Sequence, residues 1–476
     1  MSEVHLPLSL SPQVCSCSES VPDSAINIPG IFEPRIVALV CRWCTYAGAD
    51  LAGTSRMTYP PNVRTIMLPC TGRIDISIIV RAFLQGADGV IVSGCHPGDC
   101  HYTSGNYRAR RRWMLLRDLL DTLGMDLRRL DLAWISAAEG AKWVKTIRSF
   151  TEDICRLGPY EAMREVAGNR VPDLTMPSAQ DIGTLEPLTT GTTGDSGISA
   201  DPTLLEALRQ SLEKGTCKTI LGWKKRSVPG ALQAVSINEP ENLKNLLVAE
   251  NSGNLTRLFK RTEIRKLSPV GIIARKREAL ALNVLLQEKQ IVSGQVLVFA
   301  VDARGKFLGV VDLAKAEAIN TWYSASSPPA DRPSDFSEHV WESLDKLMAL
   351  SSAARWDFWK QHFARCIRCY ACRGSCPMCN CSQCFTDKNM PQWFPTAADG
   401  PGNFSWHLVR AFHLAGRCIG CGACDEACPA GIPLGLLNAA MARSSLKHFG
   451  YRAGITADTV PLQADFRTND QETFIL

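Results

Sequence analysis

No basic stretch followed by an apolar core opens the chain, so its first residues, MSEVHLPLSLSPQVCSCSES, do not read as a secretory signal. Uncharged apolar runs of the ~18–20 residues that span a bilayer are missing as well. Even the most apolar stretch, Ile76–Leu84, is cut by Arg81. Charge of one sign is scarce: 52 Lys and Arg against 47 Asp and Glu leave +5, too little to point to nucleic acid. These absences lead us to expect a cytoplasmic protein with no transmembrane segment and no nucleic-acid partner. Cysteine, by contrast, is plentiful, with 20 in 476 residues. In a reducing compartment that number points to metal ligation or redox chemistry rather than disulfides.

Composition divides the chain into blocks. Residues 1–34 read as a flexible arm and 35–157 as a block of apolar strands alternating with amphipathic helices. Residues 158–201 read as a linker whose later part is rich in Thr, Gly, Ser and Pro, and 202–323 as a mixed α/β block. A second break at 324–336 leads into a Cys-rich block, 337–476. In the first block, strands are expected at Arg35–Val40, Asn62–Leu68, Gly89–Ser93 and Leu130–Ile135, with helices at Asp75–Gly86 and Arg108–Gly124. Ser136-Ala-Ala-Glu139 has the form of a capping box opening a helix to about Leu157. Strands apolar throughout, alternating with helices, imply a parallel sheet covered on both faces, of the flavodoxin or Rossmann type.

The cysteines of this block follow the strands. Cys41 and Cys44 come after the first, Cys70 after the second, and Cys95 and Cys100 after the third. Ligands of such sheets bind beyond the carboxyl ends of the strands, so these loops can meet. Five thiols suffice for the four that a [2Fe–2S] cluster needs. A mononuclear zinc site uses the same Cys-x-x-Cys unit, with His96 and His101 as further candidates. Gly94, Gly98 and Gly105 would let backbone pass close to sulfur. Arg108, Arg110, Arg111 and Arg112 read by default as a solvated helix face, and otherwise as a docking surface for an acidic partner.

In the last block, Cys366-x-x-Cys369-x-x-Cys372-x-x-x-Cys376-Pro is repeated as Cys418-x-x-Cys421-x-x-Cys424-x-x-x-Cys428-Pro. A tight loop offers three corners of a cubane cluster, and the fourth comes from the other run. This assigns Cys366, Cys369, Cys372 and Cys428 to one [4Fe–4S] cluster and Cys376, Cys418, Cys421 and Cys424 to a second. Cys379, Cys381 and Cys384 form a candidate further site for a third [4Fe–4S] cluster or zinc, or a structural turn, with Cys15 and Cys17 as distant candidate ligands. Cys155 and Cys217 read as ordinary core or surface residues. Two aromatic groups, Trp356 to Phe363 and Phe404 to Phe412, read as packing around the clusters. Asp425 and Glu426 are expected to lower the potential of the nearby cluster if they lie close to it.

Three resemblances accompany these readings. Cys41-Arg-Trp-Cys44-Thr-Tyr-Ala-Gly-Ala-Asp50, Arg64–Gly72, Gly94–Tyr102 and Gly105–Arg112 resemble the delta subunit of methyl-viologen-reducing hydrogenase. That resemblance implies one [2Fe–2S] cluster on four of the five cysteines. It also implies electron exchange with a flavoprotein of the heterodisulfide reductase A type and with hydrogenase or dehydrogenase subunits. The repeated runs are similar to two-cluster [4Fe–4S] ferredoxin domains, mainly helical here. Ile220–Arg226, Asn254–Leu258 and Val270–Arg277 are similar to the beta subunits of deazaflavin-reducing hydrogenases and formate dehydrogenases, which bind FAD. Where those carry Gly-Cys-Asp, this chain has Arg275-Lys276-Arg277, so the block is read as a scaffold.

The expected function is an electron-transfer subunit with no substrate chemistry of its own. The alternatives are a flavoprotein reducing a deazaflavin or nicotinamide at the middle block, and a structural zinc protein.

Overall fold

The computed structural model describes residues 32–168, 197–226, 232–249, 253–313, 336–388, 390–455 and 457–470. Cys15 and Cys17, and most of the two expected linkers, lie outside them. The chain divides into two compact units, one of residues 1–109, 126–168 and 472–476, the other of 110–125 and 169–471.

In the first unit, β1 (Ile36–Cys41), β2 (Val63–Leu68), β3 (Gly89–Gly94) and β4 (Leu130–Trp134) form a parallel sheet in the order β2-β1-β3-β4. The order places a topological switch between β1 and β3, where ligands of such sheets bind. Ile36 pairs with Val63 on one side and with Gly89 on the other. Helices α1 (Thr45–Thr54) and α4 (Gly140–Leu157) cover one face. There Ala52, Trp143, Ile147, Phe150 and Ile154 pack on Ile36, Ala38, Val40, Ile91 and Ala133. Helix α2 (Ile76–Leu84), capped by the Asp75 carboxylate on the Ser77 N–H, packs with α5 (Glu161–Gly168).

Several local expectations needed revision. Helix α1, directly behind Cys44, was not anticipated, and α5 occupies the start of the expected linker. β2 is an edge strand with Ile66 and Met67 each 46% exposed, so this strand is not covered on both faces. The Ser136–Glu139 box is half formed, with the Glu139 carboxylate accepting the Ser136 N–H (2.7 Å), but α4 opens only at Gly140, with Glu139 as its N-cap.

The division between units falls within α3 (Gly105–Thr122). In the second unit seven strands form a mixed sheet, ordered β11-β10-β9-β6-β8-β5 with β7 beside β6. They are β5 (Gly197–Ser199), β6 (Thr219–Lys225), β7 (Leu232–Ile237), β8 (Leu247–Ala249), β9 (Val270–Ala274), β10 (Val296–Val301) and β11 (Phe307–Asp312). β6, β9 and β10 are parallel neighbours, and the other pairings are antiparallel. Helix α6 (Pro202–Glu213) buries Leu204 and Leu208 against Ile220, Ile273 and Phe299. A short helix, α7 (Thr262–Lys266), precedes β9.

Helix α8 (Lys276–Gln287) packs on the opposite face in a core that also takes in Met378, Leu414 and Ile419 of the Cys-rich block. That block is helical: α9 (Glu338–Met348), α10 (Ser352–Ala364), α11 (Ala371–Ser375), α12 (Gly400–His413), α13 (Ala423–Glu426) and α14 (Leu434–Phe449). It joins the mixed sheet in one hydrophobic core, further fastened by Asn283 Nδ2 donating to the Gly454 carbonyl (2.8 Å) and by the partly buried Arg417–Glu288 ion pair.

Candidate metal centres

β1 ends at Cys41 and β3 is followed at once by Cys95, so the two thiols flank the switch point, with Sγ atoms 3.9 Å apart. The loop after β2 adds Cys70, whose Sγ lies 3.7 Å from that of Cys100. Cys41, Cys70, Cys95 and Cys100 form one buried cluster with the partly exposed Cys44 packed against it, and Cys41, Cys44 and Cys95 hold their Sγ atoms within 4.8 Å of one another. All five cysteines expected from the sequence are thus brought together.

The backbone is shaped around them. The Gly72 N–H points at Cys70 Sγ (3.4 Å), and a Cβ on Gly105 would stand 2.2 Å from Cys70 Sγ and 3.1 Å from Cys100 Sγ. Hydrogen bonds from the Cys70 and Cys95 thiols hold Cys41 far below the ordinary thiol range. Cys70 and Cys95, each bonded to Cys41 and buried, are pushed up. Soft, convergent thiols of which one ionises readily suit an iron–sulfur group. The histidines stand aside from the thiols: His96 Nε2 lies 2.7 Å from Glu139 Oε2, and His101 stacks on Trp43 at 3.9 Å. Glu139, taking the Ser136 amide and this histidine, is held down to about 2.

The two ferredoxin-like runs share a backbone path. Arg368 (φ 54°) and Tyr370 (φ 60°) flank Cys369, and Gly420 (φ 79°) and Gly422 (φ 70°) occupy the same places around Cys421. Such left-handed turns direct successive N–H groups into a concavity that receives an anion. In the second loop glycine adopts the conformation at no steric cost. In the first, two bulky residues are held by a clamp: Arg368 Nη1 donates to the Gly402 carbonyl (2.7 Å), and both Tyr370 Oη (2.7 Å) and Arg368 Nη2 (3.3 Å) donate to Asp387 Oδ1. Nothing in the Cys-x-x-Cys spacing announced this clamp. An arginine and a tyrosine where the sister run has glycines was the available signal.

The thiols sort into two electrostatic groups. Cys366 feels Cys372 and Cys428, and Cys372 feels Cys428 and Cys369. Cys418 feels Cys376 and Cys421, and Cys424 feels Cys376 and Cys418. Burial pushes Cys366 up to about 11 and Cys421 up to about 12, so these sulfurs become thiolates when a cation binds them. The donor set and the loops fit [4Fe–4S] clusters. Of the extra thiols, Cys379 is pushed up by the neighbouring Cys376 thiol, Cys381 is exposed, and Cys384 Sγ accepts from Thr386 Oγ1 (3.3 Å). Among the described residues these three do not close on one another as Cys41, Cys44 and Cys95 do.

Other nominated residues have different surroundings from those expected. Arg110 and Arg111 are only 1% and 2% exposed, so they are neither a solvated face nor a docking surface. Arg110 donates to the Arg467 carbonyl (2.7 Å), and Arg111 grips Asp470 with two bonds (3.0 and 3.3 Å) and reaches Asp465 (3.2 Å). Asp425, pushed up to about 6 by burial, accepts the Gly435 N–H (2.8 Å) at the start of α14, while Glu426 faces the Arg277 and Arg275 charges. After β9, Arg275 and Arg277 both pair with the buried Glu278. The aromatic groups pack as expected, with Trp356 edge-on to Phe404 at 5.6 Å.

Paired four-cysteine runs and a strand-end thiol cluster define an iron–sulfur electron-transfer protein. A family described as 4Fe-4S dicluster domain matches residues 365–433, which supports at least two [4Fe–4S] clusters. The family described as methyl-viologen-reducing hydrogenase, delta subunit, matches residues 36–158. The iron-sulfur subunit of the F420-non-reducing hydrogenase vhc of Methanococcus voltae is 52% identical over 128 residues, 27% of this chain and 89% of that protein. Its counterpart in the F420-non-reducing hydrogenase of Archaeoglobus profundus is 50% identical over 133 residues, 28% and 97% of the two chains. Through this region the chain belongs to the family of the methyl-viologen-reducing hydrogenase delta subunit. The A-type polypeptide of the ferredoxin/F(420)H(2)-dependent CoB-CoM heterodisulfide reductase of Methanosarcina acetivorans is also similar, 42% identical over 144 residues, 30% of this chain and 18% of that protein. Among the described residues no helix is long and apolar enough to cross a membrane.

Proposed function

We propose that this chain relays single electrons between a hydrogenase or dehydrogenase module and a flavoprotein of the heterodisulfide reductase A type, within a larger oxidoreductase complex of the cytoplasm. The observation that carries this reading is the convergence of five thiols from three consecutive strand ends in a region half identical to the iron-sulfur subunits of hydrogenases. Four of the five hold a [2Fe–2S] cluster, and Cys366, Cys369, Cys372, Cys428 and Cys376, Cys418, Cys421, Cys424 hold the two [4Fe–4S] clusters. Bound there, these groups accept and release one electron each and make no bond to a substrate. The chain's residues position them: Gly105 and Gly72 let sulfur approach the first site, and the left-handed loops aim amides at the other two. Potential is then set by burial, hydrogen bonds and nearby charge.

Anaerobically purified chain should carry about ten irons, four plus four plus two, with matching sulfide. It should show both a [2Fe–2S] and [4Fe–4S] signals by EPR after dithionite reduction. When reduced, it should pass electrons to a heterodisulfide reductase A-type flavoprotein. A colourless, zinc-loaded protein would refute the relay. Full iron content without electron exchange would refute the choice of partner.

A further inference from the structure

Helix α12 is buried along its length, yet it carries a polar stripe. Asn403, His407 and Arg410 recur at i, i+4 and i+7 and so share one face. They are 1%, 2% and 6% exposed. Asn403 Nδ2 donates to the carbonyls of Phe363 (3.0 Å) and Cys366 (2.8 Å), and Arg410 Nη2 reaches the Cys372 carbonyl (3.4 Å). The stripe therefore lies directly against the first cysteine run. Asn403 Oδ1, both His407 ring nitrogens and Arg410 Nε are buried without a hydrogen-bond partner. Buried polar atoms left this way call for a group that completes their surroundings.

His407, held down to about 3 by burial, is neutral, so Arg410 brings the only charge of the stripe. Burial works against that charge. Cys379, Cys424, Cys376 and Cys372 together more than offset it, and the Asp425 carboxylate next to Cys424 also feels this charge. These thiols come from both cluster sites: Cys372 from one, Cys376 and Cys424 from the other. A buried guanidinium cannot shed its proton, and in a low-dielectric interior its field is weakly screened.

We propose that Arg410 is a single charge shared by both [4Fe–4S] sites, raising the reduction potential of both and offsetting the negative charge that each one-electron reduction adds. The proposal rests on the cluster assignment above, which iron content tests separately. Lys260 is the contrasting case. Its Nζ donates to the Arg373 carbonyl (3.0 Å), and the thiols on which its charge bears most are Cys376 and Cys379.

The test is an EPR-monitored redox titration of the full chain with native, Arg410→Gln, Arg410→Lys and Lys260→Gln proteins. With iron content at the native level, Arg410→Gln should move both [4Fe–4S] midpoints to more negative values. The oxidised-to-reduced ratio at each native midpoint should rise by about tenfold or more, 59 mV per tenfold for one electron. Arg410→Lys should stay close to native, and Lys260→Gln should move the midpoint of the site that holds Cys376 more than the other. Unchanged midpoints in Arg410→Gln would overturn the proposal, as would a lysine variant displaced as far as the glutamine one. If Arg410→Gln fails to load iron, a lysine variant with native iron and midpoints supports the charge role. A lysine variant that also fails to load assigns Arg410 to structure alone and refutes the proposal.

Discussion

Replacing Asp387 with alanine should empty one cluster site and spare the others. Arg368 and Tyr370 both sit in the left-handed region, which costs a non-glycine residue about 1–2 kcal/mol. Together they load the first loop with about 2–4 kcal/mol of strain. Against this stand two hydrogen bonds to the Asp387 carboxylate, each worth about 1.5–3 kcal/mol when one partner is charged. The Asp387 side chain is 21% exposed, which favours the lower figure, about 3 kcal/mol in all. The clamp and the strain are thus nearly matched. Removing the carboxylate should lower the population of the binding-competent loop by about a hundredfold, since 1.4 kcal/mol corresponds to tenfold.

Iron in anaerobically purified Asp387→Ala should fall from about ten to about six, with one [4Fe–4S] EPR signal lost. Adding Tyr370→Gly, which relieves one of the two strained positions, should recover part of that iron. Full iron and an unchanged spectrum in Asp387→Ala would show that the loop is held by the cluster itself and not by the clamp.

The remaining predictions concern the other site and the supporting structure. Gly105→Ala should abolish the [2Fe–2S] EPR signal while leaving the [4Fe–4S] signals, because its Cβ would stand 2.2 Å from Cys70 Sγ. Single serine substitutions at Cys41, Cys44, Cys70, Cys95 and Cys100 should each lose that signal at four positions, with Cys44, the least buried, the one tolerated. Arg111→Ala leaves the Asp470 side chain, 5% exposed, with the Arg467 N–H but without its ion-pair partner and should cost about 3–5 kcal/mol, read as a lower denaturant midpoint, with Arg111→Lys restoring only part. Burial raises Cys217 to about 11. Between pH 9 and 11 the unfolded chain releases this proton while the folded chain keeps it, so stability falls as pH rises through that window. Cys217→Ala should remove that component of the pH slope, and an unchanged slope in chemical denaturation would refute the assignment.

Ligand types and spacing were legible in the sequence because a cysteine loop is a local object: Cys-x-x-Cys-x-x-Cys places three sulfurs within a few residues of chain. The parallel sheet was legible for a related reason, since strands buried on both faces must be almost wholly apolar, as Ile36–Cys41 and, but for Ser93, Gly89–Gly94 are. Strand order was not. Periodicity carries no information about neighbours, so the exposed edge position of β2 and the meeting of Cys41 with Cys95 at the switch point appear only in the folded sheet. Charge was misread for the same reason. Arg110 and Arg111 look like a solvated run until the segment around residues 465–470, some 350 residues later, comes to them, its Arg467 carbonyl to Arg110 and its Asp465 and Asp470 to Arg111. The sequence alone therefore named the cysteines that are candidates to bind iron. The tertiary structure decided which buried charges and strained turns surround them, because those depend on chain segments that are distant in sequence and adjacent only after folding.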